Sequence, residues 1–262
     1  MDTYGTLVLL EKKDGYGIIT LNRPEKRNAM NRAAQAQLWA ALEAARADCR
    51  VIIITGAGDV AFCSGVDLSE TRAGTPERQF ANGSNSWFET QEILKRHPAV
   101  LIAAVNGFAL GGGLTLVHNC ELAIASETAQ FGMPEVGFGV FPGLAGPATI
   151  QRILPKHYAY MVLTARRVDA RTAERWGIVN DVVPSSDLLA SAEDLARHIA
   201  QFDPVVLDYS KKALREIPNL DWSRGIEYGL WTGTMIRSQT AAGAQGVGRF
   251  LSGQPNPGQG TS

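Results

Sequence analysis

The stretch Val100-Leu101-Ile102-Ala103-Ala104-Val105-Asn106-Gly107-Phe108-Ala109-Leu110-Gly111-Gly112-Gly113-Leu114 decides the fold. Val100–Val105 is a continuous apolar run of strand length, which predicts a strand buried on both faces. From Ala99 to Val117 the chain runs 19 residues without a charge, the length of a membrane helix. Asn106, Gly107 and Gly111–Gly113 break that run, so it cannot be one continuous helix. The prediction is a buried strand, a glycine turn and a helix over Leu114–Asn119.

Upstream the design repeats. Val51–Thr55 is a β-branched run, Gly56–Gly65 is a loop, and Asp67-Leu68-Ser69-Glu70 has the reciprocal capping pattern of a helix start. Free N–H groups at such helix starts carry partial positive charge and hold an anion or a developing oxyanion. Two of them converging make a two-donor oxyanion hole; each loop taken singly serves packing equally well. Neither loop has GxGxxG, and no glycine run leads into Lys-Ser or Lys-Thr, which excludes a dinucleotide site and a P-loop.

Working outward, Thr6–Glu11 and Tyr16–Leu21 read as a hairpin. Asn31–Asp48 reads as a helix with Ala34, Leu38, Ala41, Leu42 and Ala45 on its apolar face. Residues 71–90 look least ordered. Leu122–Ala125 is a third strand, Phe131–Pro147 a loop or short helix, and Ile150–Leu163 a helix. Asp169 caps a turn ending at Gly177, and Ile178–Val183 is a strand. From Asp187 onward the pattern is helical, with Leu188, Ala192, Leu195 and Ile199 on one face. Gly253–Ser262, rich in Gly, Pro and Gln, is expected to be disordered. Alternating strands and helices followed by helices alone give an α/β core with a helical appendix.

Composition narrows the function. Across 262 residues, 25 Lys plus Arg balance 26 Asp plus Glu, and the net charge is −1. That speaks against a polyanion-binding surface, so nucleic acid and membrane are not expected partners. Cys49, Cys63 and Cys120 are odd in number without CxxC spacing, which suggests a reducing compartment, no disulfide scaffold and a cytoplasmic protein. The scattered His97, His118, His157 and His198 give no metal-ligand pattern. The Lys211-Lys212 pair reads as a solvated helix face, and Trp87 and Phe88 as packing or as walls of an acyl pocket.

Five motifs carry a resemblance. They are Leu21-Asn22-Arg23-Pro24-Glu25-Lys26-Arg27-Asn28-Ala29-Met30, Ala61-Phe62-Cys63-Ser64-Gly65-Val66-Asp67-Leu68, Asn106 to Gly113, Phe131-Gly132-Met133-Pro134-Glu135 through Gly137, and Ala173 to Pro184. In that order, from about residue 6 to residue 251, the chain resembles the crotonase (enoyl-CoA hydratase/isomerase) superfamily. The resemblance implies an α/β spiral of ββα turns over residues 1–187. It also implies a helical trimerisation region over 188–252 that makes homotrimers or dimers of trimers, followed by a tail over 253–262. It implies an acyl-CoA thioester substrate and no cofactor besides the coenzyme A that the substrate carries. The thioester oxygen would be held by the backbone N–H groups of Val66 and Gly112, stabilising an enolate. Coenzyme A would lie along Lys26, Arg27 and Ala29 and along Ala61, Ser64, Val66, Asp67 and Leu68, with Phe138 a further substrate contact. Lys26 and Arg27 read almost as well as a solvated pair.

The acid/base residues decide the reaction. Relatives with two catalytic glutamates place one two residues after the triple glycine and one in Phe-Gly-x-Pro-Glu. This chain has Thr115 at the first position and Glu135 at the second. Glu135 stands among Phe131, Met133, Val136, Phe138, Val140 and Phe141, company that raises a carboxyl's pKa and fits it to trade protons. Thr115 is no base at neutral pH, although its hydroxyl could position water. The expected activity is enoyl-CoA hydration with one glutamate. The alternatives are Δ3,Δ2-enoyl-CoA isomerisation and a hydroxycinnamoyl-CoA hydratase-lyase, whose C-terminal tyrosine position holds Leu230 here, with Tyr228 and Trp231 nearby. A non-catalytic acyl-CoA- or RNA-binding scaffold is the competing class.

Overall fold

The computed structural model describes residues 5–70 and 86–258. Strands β1 (Val8–Lys12) and β2 (Tyr16–Leu21) form the expected hairpin, and α1 (Arg32–Ala45) follows. Asn31 caps α1 by accepting from the Ala34 N–H at 2.8 Å, and Ala34, Leu38, Ala41, Leu42 and Ala45 are its buried stripe. Next come β3 (Val51–Gly56), β4 (Ala61–Cys63), α2 (Ser86–Arg96), β5 (Val100–Val105), β6 (Phe108–Leu110), α3 (Gly112–Asn119), β7 (Leu122–Ser126) and β8 (Gln130–Gly132). After them stand α4 (Gly146–Ile150), α5 (Pro155–Thr164), β9 (Val168–Asp169), α6 (Ala170–Arg175), β10 (Asp181–Val183), α7 (Leu188–Ile199), α8 (Pro204–Glu216), α9 (Trp222–Gln239) and α10 (Ala242–Leu251).

Six strands form one sheet in the order β1-β2-β3-β5-β7-β10, and four form a second in the order β4-β6-β8-β9. Three strands of the first sheet each lead into a short strand of the second, β3 into β4, β5 into β6 and β7 into β8. The continuous apolar runs are explained by period-2 sorting onto two cores. Ile52, Ile54, Leu101, Ala103 and Val105 face the core that α1 covers, while Val51, Ile53, Val100, Ile102 and Ala104 face Leu188, Ala192, Ala196 and Ile199 of α7. Leu195, expected on that face, is only partly buried; Ala196 takes the place.

Several expectations are corrected. The predicted helix over Ile150–Leu163 starts only at Pro155: α4 ends at Ile150, and Pro155, first residue of α5, holds Leu154 extended at φ −60, ψ 144. The predicted strand over Ile178–Val183 is confined to Asp181–Val183. Asp67-Leu68-Ser69-Glu70 opens a single 3-10 turn, Leu68–Glu70. Within 71–90, residues 71–85 lie outside the described residues and 86–90 start α2. Of the tail, Gly258 donates its N–H to Gln201 Oε1 at 3.4 Å, and 259–262 lie outside the described residues.

Lys211 is not solvated. It is 2% exposed and donates to the Ala99 carbonyl at 2.7 Å, with Glu121 Oε2 at 3.3 Å; Arg215 also pairs with Glu121. These charges fasten α8 to the ends of β5 and β7. Lys212 stays at the surface and pairs with Asp208 at 2.6 Å.

Candidate active site

The site is assembled where the loops after β3, β5 and β8 meet. Two asparagines set the first of these. Asn28 is 1% exposed; its Nδ2 donates to the Ala57 and Ala61 carbonyls at 3.0 and 2.7 Å, and its Oδ1 accepts from the Arg23 N–H at 3.0 Å. Asn106 Nδ2 donates to the Gly56 and Gly58 carbonyls at 2.9 and 2.7 Å. Carbonyls along the turn from β3 into β4 are thereby satisfied by side-chain amides.

The loop then runs beside Met30 as a one-residue parallel bridge. The Met30 N–H donates to the Gly65 carbonyl at 2.8 Å, and the Asp67 N–H donates to the Met30 carbonyl at 3.1 Å. Gly65 C=O and Asp67 N–H therefore face Met30, and the alternation of an extended chain turns the Val66 N–H to the opposite side. That side belongs to α3. A Cβ on Gly65, whose φ is +102, would lie 3.2 Å from the Gly112 nitrogen. Gly112 is the first residue of α3, where an N–H has no carbonyl four residues back to bond. The expected pair of donors, Val66 and Gly112, is thus brought together, with the indole of buried Trp87 packed on the Gly112 Cα.

Glu135 approaches the same point. It opens the 3-10 turn Glu135–Phe138, and its Oε1 lies 2.7 Å from where a Cβ on Gly111 would stand. Its Oε2 is buried without a hydrogen-bond partner among the described residues. Burial pushes the carboxyl above the usual glutamate range, opposed by a hydrogen bond with its own backbone. The environment differs from the one read off the neighbouring residues. Phe131 and Met133 are buried, but Phe138 and Phe141 are 67% and 69% exposed. Backbone packed against the carboxyl, made possible by Gly111, does part of the enclosing.

Thr115 is fully buried on α3, and its hydroxyl donates to the Gly111 carbonyl at 3.2 Å. The proton expected to steer water is committed to the helix. Asp67 also faces its own loop: its carboxylate pairs with Arg23 at 2.9 Å and accepts from the Ser69 hydroxyl at 2.6 Å. Hydrogen bonds from Ser69, and then Arg23, hold its pKa below the usual range. Ala61 is 2% and Ala29 8% exposed, and the carbonyls of both are taken, by Asn28 and Arg23 respectively. Ser64 donates its N–H to the Arg27 carbonyl at 3.0 Å, joining the two segments expected to flank coenzyme A. Lys26, Arg27, Leu68 and Phe138 are exposed at the rim. Cys63 is buried and its thiol is pushed up to about 12 by desolvation, which makes it inert. Among the described residues no group of three His, Cys, Asp or Glu could hold a metal ion.

Asn28 and Asn106 stood inside the quoted motifs without a role; an asparagine next to a glycine-rich loop is the signal for one. Tyr158, on α5, carries no local sequence signal of a role.

Comparisons with known proteins give the family. The short-chain-enoyl-CoA hydratase of Clostridium acetobutylicum is 38% identical over 212 residues, covering 79% of this chain and 80% of that one. The 2,3-dehydroadipyl-CoA hydratase of Escherichia coli is 35% identical, covering 89% and 91%. A crystal structure of an enoyl-CoA hydratase from Bacillus anthracis superposes with a TM-score of 0.87 at 30% identity, over 97% of this chain and all of that one. The family model for enoyl-CoA hydratase/isomerase matches residues 11–244, and the chain belongs to that family, within the crotonase superfamily.

Proposed function

We propose that the protein is an enoyl-CoA hydratase that works with one carboxyl group. The observation carrying this reading is the buried, unpartnered Glu135 Oε2 beside the apposed Gly65–Val66 and Gly111–Gly112 backbones. The 2-enoyl thioester oxygen accepts from the Val66 and Gly112 N–H groups. Water adds its oxygen to the β-carbon while Glu135 takes the water proton, and the electron pair of the double bond passes to the thioester oxygen as an enolate. The amides stabilise that charge as it develops. The enolate then collapses, and Glu135 returns the proton to the α-carbon. The product is a 3-hydroxyacyl-CoA, and the carboxylate is regenerated. The names of the two relatives above, both hydratases of enoyl-CoA thioesters, support this direction.

Lys26 and Arg27, exposed beside the loop that Ser64 ties to them, fit the phosphates of coenzyme A. A homotrimer or a dimer of trimers is supported by the apolar residues left bare on the C-terminal helices, with Trp222 83%, Leu230 68% and Phe250 72% exposed. No helix among the described residues is long and apolar enough to cross a membrane. Three buried free cysteines suit a reducing compartment such as the cytoplasm.

Double-bond isomerisation is the second reading, favoured by the commitment of the Thr115 proton to Gly111, which leaves one carboxyl to shuttle one proton. Turnover of a 2-enoyl-CoA in ¹⁸O-labelled water separates the two. A labelled 3-hydroxyacyl product is expected, and an unlabelled product with a shifted double bond would establish the isomerase. Glu135→Gln should lower either activity by at least ~10²-fold while acyl-CoA still binds.

A further inference from the structure

Adding water with one carboxyl leaves a gap in the site. The water must be held at the β-carbon while Glu135 takes its proton, and Thr115 has no proton to hold it with. Tyr158 lies on α5, which packs against the Glu135–Phe138 turn. Its ring is half-buried against the main core. Its hydroxyl makes no hydrogen bond among the described residues and is not sealed from solvent, so it is free to bind a water molecule. The approach depends on Gly146, the first residue of α4: a Cβ there would stand 2.4 Å from the phenol oxygen. The phenol also senses the carboxylate. Burial raises its pKa, and the charge of Glu135 adds to the rise.

Two polar side chains of α3 near Thr115 make bonds elsewhere, although His118 Nε2 stays buried without a partner. His118 on α3 is turned to Thr149 at 3.0 Å, and Asn119 donates to the Thr115 carbonyl at 2.9 Å. No Lys, Arg or His among the described residues acts on the Glu135 carboxyl.

We propose that Tyr158 holds the reacting water, its hydroxyl and Glu135 Oε2 gripping one molecule between them. The inference rests on the reading of Glu135 as the acid/base group. The phenol keeps its proton throughout. The bond that breaks is a water O–H, whose proton goes to Glu135 and then to the α-carbon, and the bond that forms joins the water oxygen to the β-carbon. A tyrosine used in this way serves hydration alone. Removal and return of the α-proton of a saturated acyl-CoA needs Glu135 and the two amides but no added water.

Tyr158→Phe keeps the ring and removes the hydroxyl. Two rates are measured on the full chain: hydration of a short 2-enoyl-CoA, and exchange of the α-protons of the saturated acyl-CoA into deuterated water. Tyr158→Phe should lower kcat for hydration by about tenfold to a hundredfold, the effect of one hydrogen bond to a reacting group. Exchange, KM and Tm should stay near wild type. Gly146→Ala, which displaces the hydroxyl without deleting it, should reproduce the selective loss and add nothing in the Tyr158→Phe background. Wild-type hydration by Tyr158→Phe, or an equal fall in both rates, overturns the proposal. Glu135→Gln is run beside it: if that variant keeps both rates, the acid/base reading itself has failed.

Discussion

Replacing Gly111 with alanine loads the site at its tightest point. Gly111 sits at φ 51, ψ −114, a conformation that costs a residue with a Cβ roughly 1–3 kcal/mol. For a chain of this size each kcal/mol moves Tm by roughly 2–4 °C, so the melt should fall by roughly 2–12 °C. The new Cβ would also stand 2.7 Å from Glu135 Oε1, about 1 Å inside an ordinary non-bonded separation of ~3.5–4 Å. Backbone at Gly111 cannot retreat without breaking the bond from its N–H to the Gly132 carbonyl at 2.9 Å. The carboxylate, at the end of a flexible side chain, is the group that moves. A displacement of ~1 Å at a reacting group costs on the order of 10²-fold in rate. The assay follows the absorbance of the conjugated 2-enoyl thioester as it disappears, with a thermal melt alongside. Gly229→Ala is the control: it lies in α9 with nothing within 4 Å of an added Cβ, and a helix gains about 0.5–1 kcal/mol from the change. A Gly111→Ala protein that melts lower yet hydrates at the wild-type rate would refute the claim that the placement of Glu135 limits turnover. One that is unchanged in both would refute the loop geometry.

Thr115→Val should lower kcat by less than about fivefold, because its hydroxyl serves the Gly111 carbonyl, which the Thr115 N–H also reaches at 3.1 Å; a loss as deep as that of Glu135→Gln would give the hydroxyl a chemical role. Glu121→Gln leaves Lys211 and Arg215 facing each other with their carboxylate gone. Urea titration should report a loss of about 3–5 kcal/mol, and an unchanged midpoint would mean that α8 is held by apolar packing alone. Acid should weaken the fold through two buried histidines. Desolvation lowers His97 to about 4 and His118 to about 3, so below an ordinary histidine pKa near 6.5 the unfolded chain binds protons that the folded chain refuses. Stability is therefore complete above about pH 7 and falls by roughly 1.4 kcal/mol per unit per histidine as pH drops towards 4. His118→Gln should make that fall shallower, and an identical slope between pH 7 and 5 would contradict the assignment.

What the sequence revealed and what it withheld follow from where the information sits. The long strands were legible because a run such as Val51–Thr55 has one explanation when both faces are apolar, and the two cores it serves confirm that reading. The short strands β4, β6 and β8 were not read. Each is three residues long, below the length at which a period of two can be told from a loop, and only the neighbouring short strand stabilises it. Lys211 was misread for a related reason: its partners, Glu121 and the Ala99 carbonyl, are about 90 and 112 residues away in sequence, so nothing local distinguishes it from Lys212.

The site divides in the same way. The close backbone approaches leave a strong trace in sequence because only glycine tolerates that of Gly65 to Gly112 and of Gly111 to Glu135. Glu135 leaves a trace because a carboxyl in an apolar segment demands a reason. Thr115 told half of its story: the residue type ruled out a second base, but whether its hydroxyl faced water or the helix depended on an α3 rotamer that only the fold fixes. Tyr158 left no trace, since a tyrosine in an amphipathic helix is ordinary core material. It gains meaning only when α5 folds back over the Glu135 turn and Gly146, twelve residues earlier, leaves room for its oxygen. If one carboxyl performs hydration, a second hydrogen-bonding group has to come from outside the motifs. The proposed group stands on α5, a helix packed against the Glu135 turn, at a residue for which nothing local in the sequence gives a reason to look.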